Sequence, residues 1–193
     1  MAIDRDAAAR AIDAFLRALG HDPSSEELRE TGARVAEAWD QDLLAGEAVD
    51  VPALLLAESF PAPSGGGDTL VVLRDASTAT MCPHHLLPAL GTATVAYVPG
   101  DRVAGLGTLA RVVDAFARRL TLQERIGEAI ADALTTSLGA RGVAVSLRMR
   151  HACLAARGER QAAWVETLST RGVLAPGGTH GALLASIATR GHG

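Results

Sequence analysis

The segment VAVSLRMRHAC, residues 143–153, is the stretch on which the reading of this chain turns. Apolar and polar side chains alternate along it. In an extended strand Val143, Val145, Leu147, Met149, His151 and Cys153 share one face, and Ser146, Arg148 and Arg150 share the other. That alternation predicts a half-buried strand running from Val143 to Cys153. Its apolar row ends in an imidazole and a thiol, two groups that bind metal ions. A core-facing row that finishes this way requires a reason, and a shared metal supplies one.

Upstream, residues 70–99 read as β-rich. TLVVLRD (69–75) and TATVAYV (92–98) are strand-like, with Val71, Leu73 and Asp75 on one face of the first. Leu109, Val112, Val113, Phe116 and Leu120 recur at helical spacing, as do Ile126, Ile130, Ala133, Leu134 and Leu138, with Gly139 as the stop of the second helix. A further strand is expected over 162–170 and a short helix over 181–189. At the N-terminus, residues 7–19 form an amphipathic helix bearing Ile12, Phe15, Leu16 and Leu19. Residues 25–44 continue helically after Ser25 and stop at Gly46. The glycine-rich loop 61–68 precedes a strand and no helix, so it lacks the context of a phosphate loop. The order of elements predicts an α+β fold, an antiparallel sheet with helices packed on one side. Residues 1–50 would be an N-terminal helical extension and residues 51–193 the catalytic domain.

The 193 residues suffice for one such domain. A hydrophobic share of 48% with 21% charged residues describes a globular chain. The net charge of −4 argues against a general nucleic-acid or membrane-surface binder. All 18 basic residues are arginine, which excludes a lysine Schiff base and leaves arginine, histidine or backbone amides to hold any phosphate. The N-terminus has no uninterrupted apolar core of a secretory signal, and no run reaches membrane-span length, so a cytoplasmic protein is expected. Two cysteines in such a chain are more often thiols or metal ligands than a disulfide.

The densest chemistry is Cys82-Pro83-His84-His85. In a strand, Cys82 and His85 would face opposite ways. A turn at Pro83 would bring both onto one ion. Together with His151-Ala152-Cys153, these two clusters contain both cysteines and three of the six histidines. Two arrangements stay open. A closed structural zinc site would use Cys82, His85, Cys153 and one more histidine. An open three-ligand site would leave a position for water, which zinc acidifies to a pKa of about 7.

At these residues the chain resembles a family. The stretch LRDASTATMCPHHLLPALGTATVAYVPGDRVAGL (73–106), then RVVDAFARRLTLQERIGEAIADAL (111–134), then VAVSLRMRHACLAARG (143–158), are similar in order and spacing to GTP cyclohydrolase I. The resemblance implies the tunnelling fold, whose subunits join their sheets into a barrel, typically a homodecamer with active sites at subunit interfaces. It implies Zn2+ held by Cys82, His85 and Cys153, and proton transfer by His84 and His151. Gln123 and Glu124 would hold the guanine edge, and Arg34, Arg111 and Arg157 the triphosphate. Read locally, Thr121-Leu122-Gln123-Glu124 is also a capping box, and the three arginines suit solvated surface positions.

The implied activity is hydrolysis of the imidazole ring of GTP at C8, with release of formate and formation of 7,8-dihydroneopterin triphosphate. Pro83 stands where the family usually has glutamate. Gly107 and Thr108 stand where it commonly has serine and lysine. The segment QAAWVETLST (161–170) also departs from the family pattern. A specialised relative, acting on another purine or stopping at the ring-opened product, is the first alternative. A non-catalytic zinc-stabilised assembly subunit is the second.

Overall fold

The computed structural model describes residues 3–63 and 69–178. In chain order the elements are α1 (Arg5–Ala18), α2 (Thr31–Ala38), a π-helical turn (Trp39–Leu43), a short 3-10 turn (Ala45–Ala48), α3 (Val51–Ala57) and β1 (Ser59–Pro61). Then come β2 (Val71–Met81), β3 (Pro88–Val98), β4 (Arg102–Ala104), α4 (Leu106–Ala117), α5 (Gln123–Leu138), β5 (Gly142–His151), α6 (Ala152–Ala155) and β6 (Val165–Gly172). The main sheet has four antiparallel strands in the order β2-β3-β5-β6, and β1 pairs separately with β4. The α+β class and the antiparallel sheet are as expected.

The core lies between one face of this sheet and the helices. Ala89, Ala93, Val95 and Tyr97 of β3 pack beside Val143, Val145, Leu147 and Met149 of β5. The helices bring Leu109, Val112 and Val113 of α4 and Ile126, Ile130, Leu134 and Leu138 of α5. All four alternating β5 residues are fully buried, so the periodicity in the sequence is the periodicity of burial. Gly139 ends α5 in the left-handed conformation at φ 63°, the closure its position predicts.

Four local expectations are corrected. The strand expected over Val143–Cys153 stops at His151, and Cys153 sits in the helical turn α6, off the alternating row. Asp75 does not share a face with Leu73 by simple alternation. It takes φ 52° where the β2–β3 register shifts between Leu73 and Ala76, and a bulge of this kind resets the period. The helix expected over 25–44 is broken. Residues 25–30 form turns, α2 covers only Thr31–Ala38, and a π-helical turn follows. Gly32 marks the constraint in α2: a side chain there would meet the Ala9 carbonyl at 2.7 Å, so α2 crosses α1 at close range. Lastly, α3 went unanticipated, although Asp50 caps it by accepting from the Ala53 N–H at 3.0 Å and a proline opens its first turn. The helix expected over 181–189 lies outside the described residues.

The first helix begins two residues before the expected position 7, at Arg5, because Asp4 caps it by accepting from the Ala7 N–H at 2.9 Å. None of its residues is buried, and Phe15 and Leu19 are each 59% exposed. Helix α2 therefore covers its apolar stripe only in part: Ile12 and Leu16 are half-buried, and Phe15 and Leu19 stay exposed.

Two glycines separate close packing from open space. A Cβ on Gly91 of β3 would fall 2.0 Å from the Arg148 carbonyl oxygen of β5. At Gly107 nothing lies within 4 Å. Gly91→Ala is expected to destabilise the protein by about 1–3 kcal/mol through forced separation of β3 and β5. Gly107→Ala, inside the first turn of α4, should be neutral or stabilising by about 0.4–1 kcal/mol. Urea unfolding midpoints of the two variants measure both.

Candidate metal centre

The β2–β3 hairpin builds the first half of the site. Met81 pairs with Pro88, and the six residues between them form a tight loop. The Cys82 N–H donates to the Leu87 carbonyl at 3.0 Å, and the Leu86 N–H donates to the Cys82 carbonyl at 2.9 Å. Leu86 takes φ 52° to complete the turn. Pro83 has no N–H to lose within it. Cys82 and His85 thereby face each other, with Sγ 3.9 Å from Nδ1. The turn expected at Pro83 does what the spacing required of it.

The second half arrives through β5. Antiparallel pairing sets Ala89, just past the hairpin loop, opposite His151. The helical turn α6 then swings Cys153 back toward the hairpin. The ligand atoms of Cys82, His85 and Cys153 all lie within 4.8 Å of one another. Two sulfurs and one imidazole nitrogen at this spacing fit a single zinc ion, whose bonds to such donors are about 2.0–2.3 Å. His84 and His151 lie outside this group of three. Burial, and then the Cys82 sulfur beside it, push the Cys153 thiol up. A cation bound beside Cys153 would offset both causes, because metal ligation requires the thiolate.

His151 is half-buried at the end of β5, and its Nε2 lies 2.8 Å from Gln123 Oε1. The orientation of that amide follows from its other contacts. Gln123 is 2% exposed, and its Nε2 donates to the Leu147 and Val165 carbonyls, both at 3.1 Å, with the Thr167 hydroxyl oxygen at 3.2 Å. Backbone carbonyls only accept, so the NH2 must face them and the Oε1 must face His151. His151 therefore bears its proton on Nε2 and keeps the Nδ1 lone pair free. Burial holds its pKa below the ordinary histidine value, and the Glu124 carboxylate opposes that shift. A base with a fixed tautomer that is neutral at physiological pH is suited to moving a proton.

The other residues singled out in the sequence are distributed unevenly. Gln123 opens α5 and Glu124 follows it, exposed. Thr121 makes no side-chain cap and the N-cap is Leu122, so the capping-box reading of Thr121–Glu124 is not realised. Met81 anchors this region beside the hairpin, since the Thr121 N–H donates to its carbonyl at 3.2 Å. Arg157 reaches the cluster, with Nη1 3.0 Å from His85 Nε2. His84 is exposed on the loop, its ring edge-on to His85 with centroids 6.3 Å apart. Arg34 pairs with Glu30 on α2, and Arg111 pairs with Glu58, so neither makes its polar contacts with the cluster.

Sequence reasoning missed three residues. Trp164 lies beneath the guanidinium groups of Arg148 and Arg150, at 4.3 and 5.6 Å from the ring centroid. It helps line a cleft of about 380 Å³ beside His151, with Pro88, Leu90, Ala152 and Ala155, within the size range of small-molecule sites. Thr167 and Glu58 were also unmarked. The outward row of arginines on β5 was the available signal for Trp164. No local pattern signalled the other two.

The sequence model of the GTP cyclohydrolase I family matches residues 8–182. GTP cyclohydrolase 1 of Leifsonia xyli is 44% identical over 185 residues, covering 95% of each chain. The enzyme of that name from Corynebacterium glutamicum is 43% identical over 168 residues, covering 86% of this chain and 83% of its own. The Aquifex aeolicus GTP cyclohydrolase 1 is 39% identical over 158 residues, covering 82% of each.

Two substitutions separate the roles assigned by geometry. Cys153→Ala is expected to abolish stoichiometric zinc binding, measured by elemental analysis, without unfolding the protein. His151→Ala should retain the metal, and its loss there would make His151 a ligand. Gln123→Leu removes the amide's hydrogen bonds to the Leu147 and Val165 carbonyls and to His151, and should cost about 1–3 kcal/mol in urea unfolding.

Proposed function

This chain belongs to the GTP cyclohydrolase I family, a hydrolase of that type, and from this premise we propose that it opens the imidazole ring of GTP at C8 in a zinc-dependent reaction. Formate is released and the product is 7,8-dihydroneopterin triphosphate. The observation that supports this best is the convergence of Cys82, His85 and Cys153 beside a histidine whose tautomer is fixed.

Cys82 Sγ, Cys153 Sγ and His85 Nδ1 would hold the ion. Zinc so bound supplies Lewis acidity that makes water a nucleophile near neutral pH. His151 accepts a proton at Nδ1 as water adds to C8, and returns it to a ring nitrogen as the C8–N bond breaks. Gln123 holds the Nε2 proton throughout. His84, exposed on the hairpin loop, would serve the second proton transfer on the solvent side. Glu124 would accept from guanine N1 and N2, since a carboxylate has two oxygens for those two donors. The Gln123 side chain is committed to His151 and the sheet, so its part in guanine recognition falls to its backbone.

Arg157 has a conditional role. Arginine carries only donors, so its contact requires His85 to accept at Nε2 and to bear its proton on Nδ1. If His85 held the ion through Nδ1, its proton would sit on Nε2 facing the guanidinium, and Arg157 would be free to contact the triphosphate.

Arg34 and Arg111 would reach the active site of a neighbouring copy. A homo-oligomer, by family resemblance a decamer with its sheets joined in a barrel, would also cover the exposed stripe of Phe15 and Leu19 on α1. In that arrangement residues 1–50 act as an assembly extension of the catalytic domain 51–193. No described helix is long and apolar enough to cross a membrane, and we place the enzyme in the cytoplasm, with neither nucleic acid nor membrane as partner.

A second reading is favoured by one observation. Thr108 brings no charge to the α4 site, and its hydroxyl is engaged with Glu58. Another purine substrate, or a reaction that stops at the ring-opened product, would be consistent with this.

Zinc-loaded protein incubated with GTP should release formate and yield a fluorescent pterin after oxidation. Formate without pterin would select the second reading. Neither product, at full zinc occupancy, would overturn the proposal. Glu124→Gln should raise KM for GTP about 10- to 100-fold, the loss expected for charge-assisted hydrogen bonds.

A further inference from the structure

Thr108 and Arg111 lie on one face of α4, about one turn apart, and both meet Glu58 at the end of α3. Thr108 is 4% exposed, and its hydroxyl donates to Glu58 Oε2 at 2.9 Å. Arg111 donates through Nη1 to Oε1 of the same carboxylate. The backbone holds the group in place, since the Gly105 N–H donates to the Glu58 carbonyl at 3.2 Å where α4 begins. The Thr108 hydroxyl, and then Arg111, hold the Glu58 carboxyl below the usual carboxylate range, so it is ionised at neutral pH.

An ion pair this exposed contributes little to folding: the side chains of Arg111 and Glu58 are 60% and 40% accessible. An anion in solution can reach both. The cluster carries one carboxylate against one guanidinium, and Thr108 adds a hydroxyl without charge. A carboxylate fully engaged by an arginine and a hydroxyl uses the same donors that a phosphate oxygen would need.

We propose that Glu58 sets the phosphate selectivity of this enzyme: its carboxylate occupies the place at Arg111 and Thr108 that a nucleotide phosphate must take. The proposal rests on the reading of Arg111 as a phosphate contact. A polyphosphate tail must displace Glu58 and then lies beside its charge. That repulsion grows with the number of phosphate charges, so a triphosphate loses more affinity than a monophosphate, and a nucleoside loses none. The site therefore discriminates less by phosphate number than an unopposed Arg111 would.

Glu58→Gln tests this, because it keeps the side-chain length and the amide oxygen as an acceptor while removing the charge. The probe is inorganic tripolyphosphate, titrated by calorimetry into the zinc-loaded full-length protein at low ionic strength. Affinity should rise about tenfold in Glu58→Gln, and the rise should vanish in Glu58→Gln/Arg111→Gln. Unchanged or weaker affinity in Glu58→Gln overturns the proposal, as does a gain that persists without Arg111. Steady-state kinetics give the second readout: KM should fall more for GTP than for GMP, and equal changes would overturn the proposal. A wild-type protein that turns over no purine counts against the proposed function, while the tripolyphosphate titration still decides the role of Glu58. A shift confined to the urea midpoint, with affinities unmoved, would reduce Glu58 to a structural contact and sink the idea.

Discussion

The register between β3 and β5 is the constraint on which the site depends. Ala89 sits opposite His151, and the ten pairs from there to Val98 and Gly142 leave no bulge. This pairing carries the exit of β5 to the foot of the β2–β3 hairpin, where Cys82 and His85 wait. A slip of one residue would turn Val143, Val145, Leu147 and Met149 away from α4 and α5, so burial of the core locks the chemistry in place. Gly91 shows how close this contact is, because even a methyl group there would collide with the β5 backbone.

The site divides its work between a loop and a sheet. The hairpin loop and the α6 turn bring together Cys82, His85 and Cys153, a group that could hold a metal ion, and backbone hydrogen bonds shape the hairpin half of it. His151, the histidine proposed to move protons, instead ends a buried strand and is oriented by Gln123, whose amide joins α5, β5 and β6 at one point. That amide cannot rotate without setting N–H against N–H and carbonyl against carbonyl. Precise orientation is thus confined to His151, which in the proposed reaction presents one chosen nitrogen, while Cys82, His85 and Cys153 lie on turns that could adjust around an ion.

Charge is arranged with similar economy. The arginines expected to hold phosphate are each engaged in the free protomer: Arg34 with Glu30, Arg111 with Glu58, and Arg157 with His85. None of the three presents an idle guanidinium, so the proposed polyphosphate binding would have to exchange partners. The partners differ: Arg157 meets the imidazole of His85, Arg111 a carboxylate remote in the chain, and Arg34 the N-cap residue of its own helix.

Much of this was legible in the sequence. Period-two alternation located β5 because one face of that strand is buried and the other is not. Helical spacing located α4 and α5 for the same reason, and the two short clusters Cys-x-x-His and His-x-Cys pointed to residues of which Cys82, His85 and Cys153 come together in the fold. What the sequence left open were events decided by contacts remote along the chain. The bulge at Asp75, the break of the helix after Ala38 and the turn that takes Cys153 off its strand have no strong local signal. The hidden capping alternative at Thr121 and the role of Gln123 could be resolved only once β5 and β6 stood beside α5. The same holds for Glu58, an unremarkable helix-end carboxylate until folding sets it fifty residues away against Thr108. Local periodicity reports which face meets the core; which polar groups meet each other depends on how distant elements pack, and that is a property of the tertiary structure alone.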